Sequence, residues 1–583
     1  MTPDPETLHI SESFLVADIG HTNTNVALSD VVENSYRLIG CAQAATTTDS
    51  PWHDATTGVQ QAIARLTNLV QRPLLDRQGW LINPATNTGA GVDIFAAAVS
   101  AAAPLRTILV GLLDDVSLTS ARRALQTVYA QEVDHLSLAD TRSEAEQIDA
   151  IIQHRPDLIL IAGGTDGGDV TQLTRSVETV ATALELLAQT DVHRPEVVFA
   201  GNRQMRATVA SRLSGIASLH TVDNVRPRLE AEQLHEASQT AASLYDDLKV
   251  STLPGFDDVA AWCRYPVVPT AQAFAGITRY FAAVSRGRVL GVDVGSNTVT
   301  FVAATPEHAN LLVRSDLGLG RPLSQLPRML DSESVRQWLP ANGVDDTALQ
   351  DFIMNKALYP FSLPMTESEM RLEQAITREM LRQTVAQAGA SWGWAQDRMP
   401  PFNLLLLRGG IFRHTPRPGQ IALMVLDALQ PTGVFALTVD RYGVLPALGV
   451  LAPHKPLVAV QALEGGVLVD LGWVIALAGR GQPGQKALEL RMEAEGQGAL
   501  EVEVAFGALE VLPLPLGQTA RLTLKLASRQ FDIGYGPGVG HSVTVQGGLV
   551  GVIVDARGRP LTLPTETMAR AERLRQWLWD MGG

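Results

Sequence analysis

The chain of 583 residues contains only two cysteines, Cys41 and Cys263. Two thiols cannot form a disulfide framework or a cysteine-rich zinc site, which favours a reducing compartment, and we expect the cytoplasm. Basic residues are also few, because 46 Lys and Arg stand against 61 Asp and Glu, for a formal charge of −15. Without a basic stripe to displace counterions from a phosphate backbone, we expect no nucleic-acid partner.

Long apolar runs are missing as well. The segment 94–104 is apolar but too short and too rich in alanine to span a bilayer. The first residues, MTPDPETLHISES, are polar and acidic and lack the basic and apolar regions of a signal peptide. Apolar residues make up 46% of the chain and charged residues 18%, which is ordinary for a soluble globular protein.

The chain does carry one short phrase twice. Residues 14–28 read FLVADIGHTNTNVAL, and residues 289–303 read VLGVDVGSNTVTFVA. Each is an apolar strand, then Asp-x-Gly, then hydroxyl and amide residues, then a second apolar strand. Their wide separation indicates a duplication at the scale of domains.

A β-hairpin with Asp-x-Gly at its turn can hold a nucleotide phosphate. Glycine lets backbone N–H groups approach the anion, hydroxyls donate to phosphate oxygens, and a carboxylate can hold hydrated Mg²⁺. We therefore predict that Asp18 and Asp293 are the catalytic residues and hold Mg²⁺ through water. The predicted nucleotide-binding residues are Gly20, His21, Thr22, Asn23, Asn25, Gly295, Ser296, Asn297, Thr298, Gly409 and Gly410.

Gly409 and Gly410 belong to this set because they follow the buried-type strand 402–407. Two phosphate hairpins in related halves, with a later Gly-Gly beside the adenosine, are the layout of the actin-like ATPase superfamily. The alternative, unrelated turns in a mixed α/β protein, explains the matched phrases less well. The predicted ligand is ATP with Mg²⁺.

The fold class we predict is α/β, with duplicated actin-like (ribonuclease H-like) halves, an inserted Rossmann-like α/β domain and a C-terminal all-β domain. Strands and helices alternate after residue 106, with one helix predicted over residues 117–131, and helical periodicity fades after about residue 457. The predicted boundaries are 12–105 and 251–455 for the two halves, 106–250 for the inserted domain, 456–564 for a β-sandwich or barrel, and 565–583 for an amphipathic helix.

A second glycine-rich loop follows the strand 157–162 of the inserted domain. Its members Gly163, Gly164, Thr165, Asp166, Gly167 and Gly168 could form a backbone nest for an anion or a partner group. The alternative is a strand–helix connection in which Asp169 caps the next helix. The sequence does not decide between them.

With these motifs in place, the sequence resembles the MutL/GlmL family, which is associated with adenosylcobalamin-dependent glutamate mutase and is distinct from the mismatch-repair protein of the same name. The resemblance covers roughly residues 13–452 and rests on both hairpins, on IAGGTDGGD, VFAGN and NVRP, and above all on residues 408–449. It implies an actin-like nucleotide-binding fold. It also implies a role as an ATP-dependent chaperone or reactivating factor for a cobalamin-dependent mutase, which would be the partner protein.

The sequence departs from the family pattern at two hairpin positions. Asn25 stands where a lysine is usual, and Thr300 where a second aspartate is usual. No neighbouring residue is expected to replace the missing charge, so we predict nucleotide binding with at most slow ATP hydrolysis.

Three other functions stay open. One is a non-hydrolysing actin-like scaffold or assembly protein. Another is membrane association through the final helix, whose residues Met568, Ala571, Leu574, Trp577 and Leu578 lie on one side between arginines. Packing of this helix on the β-domain explains the short stripe better. The least supported of the three functions is a sugar kinase, because no local signal marks an aspartate that could act as a base on the substrate.

Overall fold

The computed structural model describes residues 12–168, 170–189, 194–326, 332–339, 344–394, 398–496 and 498–582. The chain divides into two compact units. The first unit comprises Met1–Ser100, Asp257–Leu311 and Leu317–Gly583, and the second comprises Ala101–Phe256 and Leu312–Asp316. The predicted inserted domain lies within the second unit, a few residues inside its ends.

The first half opens with the first copy of the duplicated phrase. Its elements are β1 (Phe14–Ile19), β2 (Asn23–Val32), β3 (Ser35–Ala45), the helix Ala55–Val70 and β4 (Ile94–Val99). Strand β1 is buried along its whole length, so its residues are apolar on both faces apart from Asp18. It pairs with β2 antiparallel and with β4 parallel, which places it inside the sheet.

The second unit is an α/β domain with an all-parallel sheet, as predicted. Its strands are β5 (Leu105–Val110), β6 (Ala130–Leu136), β7 (Leu158–Ile161), β8 (Glu196–Phe199) and β9 (Leu219–Thr221), in the order β6-β5-β7-β8-β9. Its helices are Thr119–Leu125, Glu144–His154, Thr171–Ala188, Arg206–Leu213 and His235–Tyr245. The sequence predicted one helix over 117–131, where the structure has a shorter helix followed by β6.

The second half repeats the first. After the helices Phe256–Trp262 and Thr270–Ser285, it contains β11 (Val289–Val294), β12 (Val299–Ala304), β13 (Ala309–Arg314), β14 (Leu404–Gly409) and β15 (Gly433–Val439). The short strand β10 (Val268–Pro269) precedes it and completes the first sheet, whose order is β10-β4-β1-β2-β3. The second sheet begins β13-β12-β11-β14-β15. Both sheets thus have the strand order third, second, first, fourth, fifth, which is the ribonuclease H-like arrangement.

Helices complete the second half. They are Ser332–Arg336, Asp346–Leu358, Glu367–Trp392, Gly410–His414, Pro418–Leu429, Leu445–Leu451 and Pro456–Glu464. The longest of these helices, Glu367–Trp392, begins with a capping box between Thr366 and Glu369 and ends at Gly393, which has a left-handed backbone conformation. Within the part of the chain that the structure describes, no helix combines the length and the apolar character needed to cross a bilayer.

The C-terminal region is all-β up to its last helix, Thr567–Asp580. Its strands are β16 (Val469–Ala476), β17 (Ala478–Gly479), β18 (Lys486–Ala494), β19 (Leu500–Ala505), β20 (Leu509–Leu512), β21 (Thr519–Leu526), β22 (Phe531–Asp532), β23 (His541–Gln546) and β24 (Gly551–Asp555). Strands β16, β24 and β20 extend the second sheet beyond β15, and β19-β18-β21-β23 form a separate antiparallel sheet. The two sheets share one apolar core, which includes Val434, Ile475, Leu490, Leu522 and Val554.

Buried charges connect this region to the second half. We call Arg378, Asp427, Asp555, Arg557 and Arg559 the C-terminal ion network. Arg557 donates through Nη1 to Asp427 Oδ1 at 2.8 Å and through Nε to Asp555 Oδ1 at 2.9 Å. Arg378 Nε donates to Asp427 Oδ2 at 2.9 Å, and Arg559 Nη2 donates to Asp555 Oδ2 at 2.6 Å. Each buried carboxylate therefore has two guanidinium partners.

The final helix packs through part of its predicted apolar side. Ala571 and Trp577 are buried, whereas Met568 is 55% exposed. A Cβ at Gly419 would lie 1.8 Å from the carbonyl oxygen of Met581, so the end of this helix approaches the backbone of the helix Pro418–Leu429 directly.

Candidate functional site

The two copies of the duplicated phrase fold into two hairpins with the same register. Asp18 pairs with Asn25 across β1 and β2, and Asp293 pairs with Thr300 across β11 and β12. Both turns are closed in the same way, because the glycine of Asp-x-Gly donates its N–H to the carbonyl three residues on. The distances are 3.0 Å from Gly20 to Asn23 and 2.9 Å from Gly295 to Thr298.

The turns of the two hairpins are in contact. Thr22 Oγ1 donates to Ser296 Oγ at 2.7 Å, although these residues are 274 positions apart in the chain. The residues of both turns, including His21, are half-buried. In the second turn, Asn297 Oδ1 is a buried atom without a hydrogen-bond partner among the described residues. The two copies of the duplicated phrase therefore converge on one place.

One arginine joins the two aspartates. Strand β14 lies parallel to β11 with Arg408 in register with Asp293, so both side chains leave the sheet at the same position and on the same face. Arg408 donates through Nη1 to Asp293 Oδ2 and through Nη2 to Asp18 Oδ2. The other oxygen of Asp18 accepts a hydrogen bond of 2.8 Å from Thr270 Oγ1 at the start of the helix Thr270–Ser285.

Burial governs the electrostatics of this cluster. It raises the pKa of Asp18, and the nearby charge of Arg408 opposes that rise. Burial would lower the pKa of Arg408, but the carboxylates of Asp293, Asp18 and Asp440 outweigh it and raise that pKa, so the guanidinium stays charged. Arg408 Nε is buried and has no hydrogen-bond partner among the residues described here.

A third carboxylate, that of Asp440, belongs to the cluster. Asp440 follows β15, is fully buried, and accepts hydrogen bonds from the N–H groups of Val444 at 3.0 Å and Leu445 at 2.9 Å. It therefore satisfies two N–H groups at the start of the helix Leu445–Leu451, whose N-cap residue is Val444, and burial raises the pKa of Asp440.

The second arginine corrects an expectation. The sequence suggested that no neighbouring residue would supply the charge absent at Asn25, and this is wrong. Arg413 Nη1 donates to Asn25 Oδ1 at 3.2 Å. It reaches the first hairpin from the short helix after β14, which sequence spacing could not show. Burial lowers its pKa, and the charge of Asp440 opposes that change.

The two aspartates predicted to hold Mg²⁺ do not fit that ion in this arrangement. Both carboxylates already bind Arg408, and Asp18 also binds Thr270. Across the described ranges, no group of three or more His, Cys, Asp or Glu side chains is placed to hold a metal ion. The positive charge between the aspartates is a guanidinium.

The predicted Gly-Gly element follows Arg408 at the end of β14. Gly409 has φ +125°, and a Cβ there would lie 2.1 Å from Val294 O, so only glycine lets β14 lie this close to the second hairpin. A Cβ at Gly410 would meet nothing within 4 Å. Gly409 thus has a packing role next to Asp293, and Gly410 faces open space.

The glycine-rich loop of the second unit is held by neighbouring strand ends. Asp166 Oδ1 accepts from the N–H of Arg203 at 2.9 Å and from Asn224 Nδ2 at 3.0 Å. Gly167 has φ +81° and open space where a side chain would stand. Asp169, the alternative helix cap, lies outside the described residues. An anion or partner role for Gly163, Gly164, Thr165, Asp166, Gly167 and Gly168 stays a prediction.

Sequence reasoning missed Arg408, Arg413, Thr270 and Asp440 as members of the site. Two of them had a visible signal: Arg408 ends the buried run Leu404–Leu407, and Asp440 directly follows the apolar strand β15, as Asp18 and Asp293 interrupt theirs. A charge at the end of a buried strand must find a partner. Thr270 and Arg413 gave no comparable signal.

Two sheets of the same order, each with an Asp-x-Gly hairpin beside its central strand, define an actin-like protein. Residues 14–466 match the family described as MutL protein. The chain is 23% identical over 491 residues to "Protein MutL" of Clostridium tetanomorphum, covering 78% of this chain and 98% of that protein. The chain belongs to the MutL family.

Solved structures of similar outline include a glycerol dehydratase reactivase and a diol dehydratase-reactivating factor in nucleotide-free form. The first has 12% identity and a TM-score of 0.29, covering 76% of this chain and all of that one. The second has 10% identity and a TM-score of 0.29, covering 78% of this chain and all of the other.

Proposed function

We propose that this protein binds ATP or ADP between its two Asp-x-Gly hairpins. The observation that carries the proposal is the convergence of the two turns, in which Thr22 and Ser296 touch at 2.7 Å. Each turn offers backbone N–H and hydroxyl donors, and the buried Arg408 Nε has no partner within the described chain. Donors gathered around a buried cation suit a phosphate group.

Binding to a partner enzyme completes the proposal. The MutL/GlmL resemblance implies an adenosylcobalamin-dependent mutase, on which this protein would act as a nucleotide-controlled reactivating factor. A ligand that separates or draws together the two turns would shift the equilibrium between arrangements of the two halves, and a partner can respond to that change. Purified mutase should bind the protein with different affinities in ATP and in ADP; equal affinities would contradict nucleotide control.

Isothermal titration calorimetry tests the nucleotide site. ATP should bind the wild-type chain, and Gly295→Ala should weaken that binding by about tenfold or more. The added methyl group lies where the backbone would approach a phosphate, and one charged hydrogen bond contributes ~1.5–3 kcal/mol. The Gly295→Ala variant should fold, because its new Cβ would lie 3.2 Å from Thr298 O, a tight but tolerable distance.

The matched control is Gly498→Ala, where a Cβ would meet nothing within 4 Å. It should leave both the affinity for ATP and the melting temperature unchanged. Absence of ATP and ADP binding to the wild-type chain would contradict the proposed function, and equal affinity in Gly295→Ala would place the nucleotide elsewhere.

The second candidate is a scaffold that binds no nucleotide and does not hydrolyse ATP. The bridge from Arg408 to both Asp18 and Asp293 favours it, since one cation neutralises the carboxylates that would otherwise serve a metal. A scaffold would bind its partner equally well with and without nucleotide. Partner binding by the wild-type chain and by Gly295→Ala, each with and without ATP, separates the two candidates.

A further inference from the structure

A phosphate chain between the two hairpins needs positive charge, because buried carboxylates surround the place. Asp18 and Asp440 are 2% and 0% exposed, and Asp293 lies beside them. An unneutralised polyanion next to three carboxylates would be strongly disfavoured in a site of low dielectric constant. The source of the compensating charge therefore decides whether and how a nucleotide binds.

Arg408 has the position of a central cation. Its side chain is 12% exposed and holds one carboxylate from each half. Two of its three nitrogen atoms are used in this way. The third, Nε, is buried and unpartnered among the described residues. A buried donor without an acceptor is unfavourable, and a phosphate oxygen in reach of Nε would remove that cost.

Arg413 has the position of a second cation, at the first hairpin. It reaches Asn25, the residue paired with Asp18 across β1 and β2, at 3.2 Å. Space for it depends on Gly443, which has φ +71°, because a Cβ there would lie 3.3 Å from Arg413 Nη1. The arginine thus approaches the hairpin from the short helix after β14 and brings a charge that Asn25 lacks.

From these contacts we infer that Arg408 and Arg413 replace a divalent metal ion in this chain, which therefore binds a nucleoside di- or triphosphate without Mg²⁺. The inference rests on the proposed function and goes beyond it. Arginine suits the task because its planar guanidinium carries a permanent charge and several donors, and can bind carboxylate and phosphate oxygens together.

The test is calorimetric titration of ATP into the full chain in two media, one with Mg²⁺ and one with EDTA. The wild-type affinity should change less than about threefold between the media. Arg408→Gln and Arg413→Gln should each weaken binding in EDTA by about tenfold to a hundredfold, the loss expected for charge-assisted hydrogen bonds. The exposed Arg279, on the helix Thr270–Ser285, provides the control variant Arg279→Gln, which should bind like wild type.

Each outcome has one meaning. Wild-type binding that requires Mg²⁺ would overturn the inference and leave the proposed nucleotide site intact. Absence of binding in both media would overturn the proposed function itself. The comparison of media uses the unaltered chain, so it stands even if Arg408→Gln fails to fold. Full affinity of both arginine variants in EDTA, with unchanged melting temperatures, would also overturn the inference.

Discussion

Replacing Arg557 by methionine should destabilise the first unit strongly. Arg557 is buried, with its side chain 1% exposed, and joins Asp427 to Asp555. Its guanidinium also lies 4.5 Å from the centre of the Trp577 ring. Methionine keeps the apolar stem of the side chain but leaves each carboxylate with one cation instead of two. The substitution removes three charge-assisted hydrogen bonds from Arg557 to these two buried carboxylates, and we expect a cost of about 3–5 kcal/mol.

This loss can be followed by calorimetry and by pH. A unit this large loses about 1 °C of melting temperature per kcal/mol, so Arg557→Met should lower the transition of that unit by ~3–5 °C. Although burial would raise the pKa of Asp555, the charges of Arg557 and Arg559 outweigh it and lower that pKa. The folded pKa is thus below the unfolded one, so the network stabilises above about pH 4 and its contribution falls in more acid solution.

The control is Arg491→Met on β18. Arg491 is 51% exposed and binds Glu493 and Glu501 at the surface, where such pairs contribute little. It should leave the melting temperature unchanged within about 1 °C. Equal effects of the two substitutions at neutral pH, or an Arg557→Met effect that does not shrink below about pH 4, would refute the reasoning.

Three further predictions concern the site and the last helix. Gly409→Ala should lower stability by at least about 3 kcal/mol because its Cβ would collide with Val294 O, whereas Gly410→Ala should be neutral; melting temperatures of both check this. Asp440→Ala should cost about 1–3 kcal/mol, read from urea denaturation, because the N–H groups of Val444 and Leu445 lose their acceptor. Trp577→Ala should lower the free energy of unfolding by about 3–5 kcal/mol, because the Trp577 side chain is buried. The side chain of Trp579 is 77% exposed, so Trp579→Ala should cause no measurable loss of stability in the same urea denaturation experiment.

Much of the fold could be predicted because the duplicated phrase is a local pattern. Apolar strands around Asp-x-Gly specify a hairpin without any distant contact, and both copies have the expected strand pairing. The helix Pro456–Glu464 was missed because it is short and almost entirely apolar, so it lacks the polar face that marks helical periodicity. Strand β6 was missed because its residues are mostly polar and half-buried.

The site was less predictable than the fold because its chemistry depends on register between distant strands. Asp18 and Asp293 could be named from the sequence, but their common partner could not. Arg408 reaches Asp293 only through the parallel pairing of β14 with β11. A single sequence gives no information on which residues of two strands stand side by side, so the guanidinium that joins the two aspartates could not be predicted.

Hydrogen–deuterium exchange with and without ATP tests the central claim most directly. If the nucleotide lies between the hairpins, ATP should slow exchange at both turns together, in residues 20–25 and 295–300. Backbone N–H groups that bind phosphate exchange slowly, and the two turns converge at Thr22 and Ser296. ATP binding that protects only one turn, or neither, would contradict a site shared by the two halves.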